Sequence, residues 1–169
     1  DEYYHVGIVE IYAKQWSPFI SSQGIEASVL GDITRMPSYL YHYLLSFPYR
    51  FFALFIDSQT ALIILLRILN IGMVVGALLL FRKLFKKAQI SDPVINIALL
   101  FFALTPIVPF LAAHVNYDNL MLLLTPIVLG AVYVMYKQQK LDTSKILIFI
   151  SVGLITVLVK NSFLPIFAF

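Results

Sequence analysis

The sequence predicts an all-α fold, a polytopic bundle of transmembrane helices with an outer-face loop that contains amphipathic, interfacial helices. Of its 169 residues, 60% are hydrophobic and only 12% are charged, and the mean hydropathy is +0.88. Ordinary soluble chains carry about 45–50% apolar and about 25% charged residues, so a soluble globule of this length could not hide so much apolar surface. We therefore predict an integral membrane protein.

Four apolar runs are the candidate transmembrane helices, because about 20 residues cross a bilayer as a helix. They lie at residues 60–81, 94–113, 120–136 and 146–163. Gly72 and Gly76 in the first run have the Gly-x-x-x-Gly spacing, which favours close packing of another helix and, as an alternative, a dimer motif. Both ends of the chain look cut, which predicts a piece of a larger membrane protein.

Seven of the twelve Lys and Arg residues stand in the two segments that separate these runs, and this placement predicts the topology. They are Arg82, Lys83, Lys86, Lys87, Lys137, Lys140 and Lys145. Such clusters beside apolar runs are typical of cytoplasmic loops, so we expect no nucleic-acid partner despite the net charge of +3. The alternation then places residues 1–58, residues 114–119 and Lys160 on the outer side.

Residues 1–58 are predicted to form the outer loop, and residues 59–169 the transmembrane part. The loop carries six acids against three bases, net −3. Residues 2–15 are predicted to be helical and to end at residues 16–18, because the residue before a proline disfavours the helical region. Residues 23–34 are predicted to be loop.

Residues 37–56 are long enough to cross, but we predict an interfacial helix on the outer surface. Four Tyr, His42 and Arg50 are costly at bilayer depth, and Pro48 is expected to break the run. Pro37 suits a first helical turn. If this segment crossed instead, the N-terminus would move to the cytoplasmic side.

Asp1, Glu2 and His5 are the candidate catalytic residues. On a helix, His5 lies within reach of both acids, at spacings of three and four residues. A carboxylate beside an imidazole can act as a general base or hold a divalent cation. The two acids also suit a solvated helix start, where negative charge is favourable.

Arg35, Arg67 and Lys160 are candidate ligands of an anionic group, since all three are expected near the outer interface. Arg67 lies about seven residues inside an apolar helix, where a charge usually faces a cavity or a partner. The alternative is that Arg67 extends to the outer headgroups. An anionic lipid phosphate would suit all three cations.

Five further residues are candidate substrate contacts: Tyr41, His42, His114, Asn116 and Asp118. Asp118 also suits a cap of the helix that begins near residue 120. The chain contains no cysteine, and no Gly-rich phosphate loop, hydrolase or kinase signature appears, which disfavours nucleotide-dependent and hydrolytic chemistry.

The order of features resembles the N-terminal half of integral-membrane glycosyltransferases of the GT-C superfamily, with protein O-mannosyltransferases and lipid A aminoarabinose transferases as the nearest branches. The segments that carry the resemblance are DEYYHVGIVEIYAKQWSP, RMPSYLYHYLLSFPYRF, LLRILNIGMVVGALLLFRKLFKK, HVNYDNLMLLL and LVKNSFLPIF. They follow one another over nearly the whole chain.

The resemblance implies a role for each motif. The acidic pair Asp1–Glu2 matches the pair that carries the catalytic aspartate, so Asp1 is the expected general base, with Glu2 and His5 orienting it. Arg35, Arg67 and Lys160 match basic residues that serve the donor phosphate, and Asp118 matches an outer-turn aspartate. Met36 stands between Arg35 and Pro37, where the family pattern has the two adjacent.

The resemblance further implies a polyprenyl-phosphate sugar as the lipid-linked donor, inversion at the anomeric carbon, and an acceptor hydroxyl that the sequence leaves unknown. It allows a divalent cation, Mg²⁺ or Mn²⁺, because some members of the superfamily use one. Membrane lipids are the surrounding partners, and a bacterial or archaeal plasma membrane with an extracytoplasmic active face is the expected location. A transporter or flippase of a lipid-linked anion and a structural membrane subunit are the alternatives.

Overall fold

The computed structural model describes residues 2–20, 30, 38–139 and 143–161. Over those ranges the chain forms helices and no β-strand, so the all-α class is confirmed. Asp1, Arg35, Lys140 and all but residue 30 of the predicted loop at 23–34 lie outside the described residues. The described residues form seven helices: α1 (Glu2–Ala13), α2 (Leu40–Phe52), α3 (Gln59–Lys87), α4 (Asp92–Leu104), α5 (Ile107–Ala112), α6 (Asp118–Gln138) and α7 (Thr143–Val159).

Two of these helices, α3 and α6, are long and apolar enough to cross a membrane. Only 28% of the most apolar window of α3 and 33% of that of α6 is buried inside the protein. The core helix of a soluble protein would be mostly buried, so this exposure favours a lipid environment. The helices α4 and α7 are apolar but shorter.

Helix α3 covers the first predicted run and extends beyond it. It begins one residue earlier, where the Ser58 side chain accepts a hydrogen bond from the Ala61 amide (3.4 Å), and it continues to Lys87. The cations at residues 82–87, which the sequence predicted to lie in a loop, are therefore helical. Lys86 and Lys87 occupy the last turn, where positive charge is favourable at the negative end of the helix dipole.

The second predicted run, at residues 94–113, is divided into α4 and α5. Thr105 has extended backbone angles (φ −61°, ψ 120°) and precedes Pro106. A proline sterically disfavours the helical conformation of the residue before it, and its missing N–H removes a helical hydrogen bond. The hydropathy of the run does not report this break, because apolar residues continue on both sides of it, whereas Pro106 itself allows a broken helix.

Contacts between the helices show in which direction each helix runs along the bundle. Asn70 in α3 contacts Asn119 at the start of α6 (2.9 Å), and the Tyr133 hydroxyl late in α6 donates to the Lys87 carbonyl at the end of α3 (3.0 Å). The helices α3 and α6 therefore run in the same direction, and α4 and α5 return between them.

Helix α7 runs back again, because Lys160, just after it, contacts Asp118 at the start of α6 (2.7 Å). We call the end where these two residues meet the site end, and the opposite end the basic end. The basic end carries the described cations Arg82, Lys83, Lys86, Lys87, Lys137 and Lys145.

Helices α1 and α2 pack together and cover the site end. Their buried side chains join residues of α3, α6, α7 and the turn before α6 in one apolar core: Val6, Val9, Tyr41, Leu45, Leu66, Val115, Leu120 and Val159. Opposite this core, α2 exposes Leu44, Phe47 and Phe51. An exposed apolar face on a short helix is what an interfacial position requires.

Contrary to the expectation from sequence, α2 continues through Pro48 to Phe52. Tertiary contacts outweigh the lost backbone hydrogen bond: the Arg50 guanidinium donates to the carbonyls of Tyr12, Ala13 and Gln15 at the end of α1, at 2.6–3.1 Å. Arg50 also lies over the Trp16 ring, 3.9 Å from its centroid. These contacts hold the last turn of α2 against the end of α1.

Candidate functional site

The first charged pair of the site end joins Glu2 of α1 to Arg67 of α3. Arg67 Nε and Nη2 donate to the two carboxylate oxygens of Glu2 at 2.9 and 2.5 Å, and the Val115 amide donates to Oε1 at 2.8 Å. The Arg67 hydrogen bond lowers the pKa of Glu2, and the Val115 hydrogen bond acts in the same direction against the effect of burial. Glu2 is therefore an anion at neutral pH, and its carboxylate is already engaged by three donors.

The position of Arg67 along α3 sets how far its backbone lies from the start of that helix. The residue lies eight positions after Gln59, about 12 Å along the helix at 1.5 Å per residue. Its partner is a carboxylate of another helix, as expected of a charge within an apolar run that faces a partner. The Arg67 side chain remains 41% exposed, and a guanidinium has five N–H donors, so the pair with Glu2 leaves donors for another anion.

The second charged pair joins Asp118 to Lys160, with 2.7 Å between Oδ1 and Nζ. Lys160 also lies over the Tyr117 ring, 4.6 Å from its centroid. The Asp118 carboxylate does not cap its own helix. Instead, the Asn116 side chain accepts a hydrogen bond from the Asp118 amide (2.8 Å) at the start of α6, so Asn116 has the role that the sequence suggested for Asp118.

A buried histidine pair lies between α1 and α2. His5 Nδ1 and His42 Nε2 are 2.8 Å apart, the rings are stacked with centroids 5.1 Å apart, and each side chain is 1% exposed. Burial lowers the pKa of His5 to about 4; the Asp118 and Glu2 carboxylates oppose this effect and Lys160 reinforces it. Burial and the neighbouring His5 lower the pKa of His42 to about 3. Both rings are therefore neutral at pH 7, and one can donate the shared hydrogen bond to the other.

A network of buried polar side chains fixes the helices beneath these pairs. The Tyr41 hydroxyl donates to Asn70 Oδ1 (2.8 Å), and the Asn119 amide donates to the same oxygen (2.9 Å). Asn119 also donates to the carbonyls of Leu111 and His114. The network joins α2, α3 and α6 to the turn at residues 113–117, and each of its three side chains is buried.

Sequence reasoning did not identify Asn70 or Asn119. A signal was present, because Asn70 follows Arg67 by three residues and so lies on the same face of an apolar helix. Two polar residues on one face of such a helix indicate a buried polar contact. The partner of that contact, 49 residues further along the chain, could be found only from the fold.

A cleft of about 280 Å³ opens beside the first charged pair. Glu2 and Tyr3 line one side, and the end of α5 and the following turn, with His114 and Asn116, line the other. Tyr41 and His42, also predicted as substrate contacts, are 0% and 1% exposed and lie beneath this surface. Of the predicted site residues, Glu2, His114 and Asn116 therefore line the cleft, and Asn116 is itself only 7% exposed.

The site end thus brings together nine of the candidate residues from separate parts of the chain: Glu2, His5, Tyr41, His42, Arg67, His114, Asn116, Asp118 and Lys160. Asp1 and Arg35 lie outside the described residues. Among the described residues no three His, Asp or Glu side chains are grouped as a metal site needs. Glu2 and Asp118 are each paired with a cation and the two histidines contact each other, so these residues do not fit a Mg²⁺ or Mn²⁺ site.

No protein-family model, curated protein or solved structure matches the chain. The likeness to GT-C glycosyltransferases therefore depends on the order of short motifs in the sequence. A fold can host many chemistries, so function has to be inferred from the charged groups at the site end.

Proposed function

We propose that the protein is a membrane glycosyltransferase of the GT-C type, which moves a sugar from a polyprenyl-phosphate donor to an acceptor hydroxyl at the outer membrane face. One observation carries this proposal: Arg67 and Lys160 lie at the same end of a helical bundle whose outer surface is apolar, and their side chains are 41% and 31% exposed. A lipid phosphate could reach both cations while its polyprenyl chain stays in the bilayer.

The proposed topology has the basic end in the cytoplasm and the site end outside. Four passes are made by α3, by α4 with α5, by α6 and by α7. Helix α7 has 17 residues and is about 25 Å long, somewhat less than the roughly 30 Å hydrocarbon core, which a local thinning of the bilayer would accommodate. The exposed aromatic face of α2 would then lie against the outer headgroups.

The chemistry follows from the charges. The donor phosphate is a leaving group that needs positive charge as it departs, which Arg67 and Lys160 would supply, with Arg35 as a third proposed cation. The acceptor hydroxyl needs a base, and Asp1 is the proposed one. Glu2 is a poor base because its carboxylate accepts three hydrogen bonds, so we assign it the positioning of Arg67 and of the adjoining chain.

Binding of undecaprenyl phosphate to the protein in nanodiscs tests the phosphate site. Arg67→Gln is expected to weaken binding by about 10- to 100-fold, the value of a charge-assisted hydrogen bond. Glu2→Gln keeps the cation and frees its donors, so affinity should be retained or increased. Lys145→Gln removes one cation at the basic end and is the matched control. If Arg67→Gln bound as tightly as the unaltered protein, Arg67 would serve only to hold Glu2.

Catalysis is tested separately with a polyprenyl-phosphate sugar and a panel of acceptor hydroxyls. Asp1→Asn is expected to reduce transfer about 100- to 10,000-fold, the usual contribution of a general base, while binding of undecaprenyl phosphate persists. Transfer at an undiminished rate would exclude Asp1 as the base.

The break between α4 and α5 favours one alternative, a transporter or flippase of a lipid-linked anion. Interrupted helices in transporters expose backbone groups to a substrate, and Pro106 interrupts an apolar stretch here. A translocation assay with fluorescent polyprenyl phosphate in liposomes distinguishes the two functions. Movement of lipid between leaflets without sugar transfer would replace the glycosyltransferase by the transporter.

A further inference from the structure

An apolar cleft extends from the level of Leu122, in the second turn of α6, toward the basic end. It has a volume of about 320 Å³ and lies between α3, α4 and α6. All six residues that line it are apolar: Phe81, Phe85, Ala98, Leu99, Phe102 and Leu122. The cleft remains open because α4 packs loosely; Ile95 is its only buried residue.

Positive charge stands next to the α3 residues that line this cleft. Arg82 and Lys86 directly follow the lining residues Phe81 and Phe85, and both approach Asp92, the first residue of α4, at 3.8 and 3.1 Å. Because α4 runs back along α3 from Asp92, its lining residues begin about 9 Å further from the basic end. The two cations therefore lie on the side of the cleft nearest that end.

The cations are not neutralised by Asp92 alone. Four positive charges stand at residues 82, 83, 86 and 87 against one negative charge at residue 92, a local balance of +3. The Arg82 and Lys86 side chains are 44% and 49% exposed. An apolar cleft with accessible cations beside it matches a molecule with an anionic head and an apolar tail, and basic sites between helices at the cytoplasmic side of membrane proteins bind such lipids.

We infer that this cleft is a binding site for an anionic phospholipid of the leaflet at the basic end, with the phosphate at Arg82 and Lys86 and one acyl chain between the phenylalanines. The inference requires that the chain spans a membrane, and it is independent of the proposed glycosyl transfer. It differs from general surface attraction because it assigns the headgroup to one face of α3, the face that approaches Asp92.

Fluorescence quenching in nanodiscs tests the site. The substitutions Trp16→Phe and Phe102→Trp together place the single tryptophan in the lining of the cleft, where it serves as the reporter. Phosphatidylglycerol or phosphatidylcholine with brominated acyl chains is then added at equal fractions as the quencher. Brominated phosphatidylglycerol should quench more strongly at equal fraction. The double substitution Arg82→Gln and Lys86→Gln is expected to lower the preference for phosphatidylglycerol about fivefold for each cation removed. This value corresponds to about 1 kcal/mol per basic residue near an anionic surface.

The matched control is the double change Lys83→Gln and Lys87→Gln, which removes the same charge from the same turns on another face of α3. The preference should largely survive it. Equal losses in both double variants would mean diffuse attraction and overturn the site, as would an absence of preference in the parent protein. Exchanging the two cations, with Arg82→Lys and Lys86→Arg, should retain the preference and separates a loss of charge from a loss of fold.

The acyl position has its own test. Ala98→Phe fills the cleft without changing charge, so quenching at the reporter should fall for brominated chains of both lipids. If quenching by phosphatidylglycerol stayed as strong as before, the acyl chain would not occupy the cleft and the assignment would be wrong.

Discussion

The histidine pair of α1 and α2 makes the stability of the protein sensitive to mild acid. His5 and His42 share one hydrogen bond and are almost completely buried. Protonation of both rings would place two N–H groups against each other between neighbouring positive charges. Because the buried rings resist protonation, lowering the pH from 7 to about 5 favours the unfolded chain, whose histidines take up protons freely.

The direction and size of the change in stability with pH follow from the difference in histidine pKa between the unfolded and folded states. Unfolded histidine has a pKa of about 6.5, whereas in the folded protein the pKa is about 4 for His5 and about 3 for His42. The unfolded chain thus binds more protons than the folded protein below about pH 6.5, and stability falls as the pH falls. At pH 5 each histidine contributes a loss of about 2 kcal/mol relative to pH 7, so the pair accounts for at most about 4 kcal/mol.

Thermal unfolding in detergent micelles measures this loss. The emission of Trp16, the only tryptophan, reports on the junction of α1 and α2. By the usual scaling for 150–250 residues, the midpoint should fall by about 8–16 °C between pH 7 and pH 5. Replacing both histidines by Phe should remove most of this dependence, because apolar rings of similar size can replace a paired hydrogen bond at little cost.

The half-buried His114, which lies outside the pair, provides the matched control. His114→Gln is expected to leave the pH dependence in place, and His42→Phe to reduce it by about half. A midpoint in the parent protein that did not change between pH 7 and pH 5 would refute the reasoning. A dependence that persisted after both rings of the pair were replaced would assign it to other groups.

Three further predictions concern packing and topology. Because the chain has no cysteine, Ser17→Cys and Gln138→Cys each introduce a single labelling site. An impermeant maleimide should reach the two sites from opposite faces of a sealed vesicle. Labelling of both sites from the same face would contradict the proposed topology. Gly72→Ala should stabilise α3 by up to about 1 kcal/mol in a denaturant titration, because an added methyl group meets nothing within 4 Å. Gly76→Ala should gain less or lose stability, because its methyl group would lie 3.1 Å from Leu123. Equal gains in stability from the two substitutions would exclude close packing at Gly76. Asn119→Leu should destabilise the protein by roughly 2–4 kcal/mol, since it leaves buried acceptors unpaired, and a loss below about 1 kcal/mol would show that water replaces the amide.

Much of the helical framework follows from local chemistry. The apolar runs correspond to α3, α6 and α7 with shifts of a few residues, because a helix is the secondary structure that satisfies a long apolar backbone internally. Proline was harder to interpret: Pro106 breaks an apolar run and Pro48 does not. The difference lies in tertiary contacts, such as those of Arg50 with α1, which a local pattern does not contain.

The sequence was enough to predict which residues form the candidate site, but not which of these residues contact each other. Charges that are costly within or beside apolar helices, such as Arg67 and Lys160, can be recognised in the sequence. Their carboxylate partners stand 65 and 42 residues away. The distinction between Asn116, which caps α6, and Asp118, which pairs with Lys160, likewise depends on where α7 ends.

The hydrogen bonds of Glu2 also constrain the order in which the protein can be assembled during synthesis. Glu2 is translated before its partners Arg67 and Val115, which follow 65 and 113 residues later. Helix α1 therefore cannot complete its contacts until the turn between α5 and α6 has left the ribosome. The Glu2 carboxylate therefore lacks both partners until that later stretch of chain has been made.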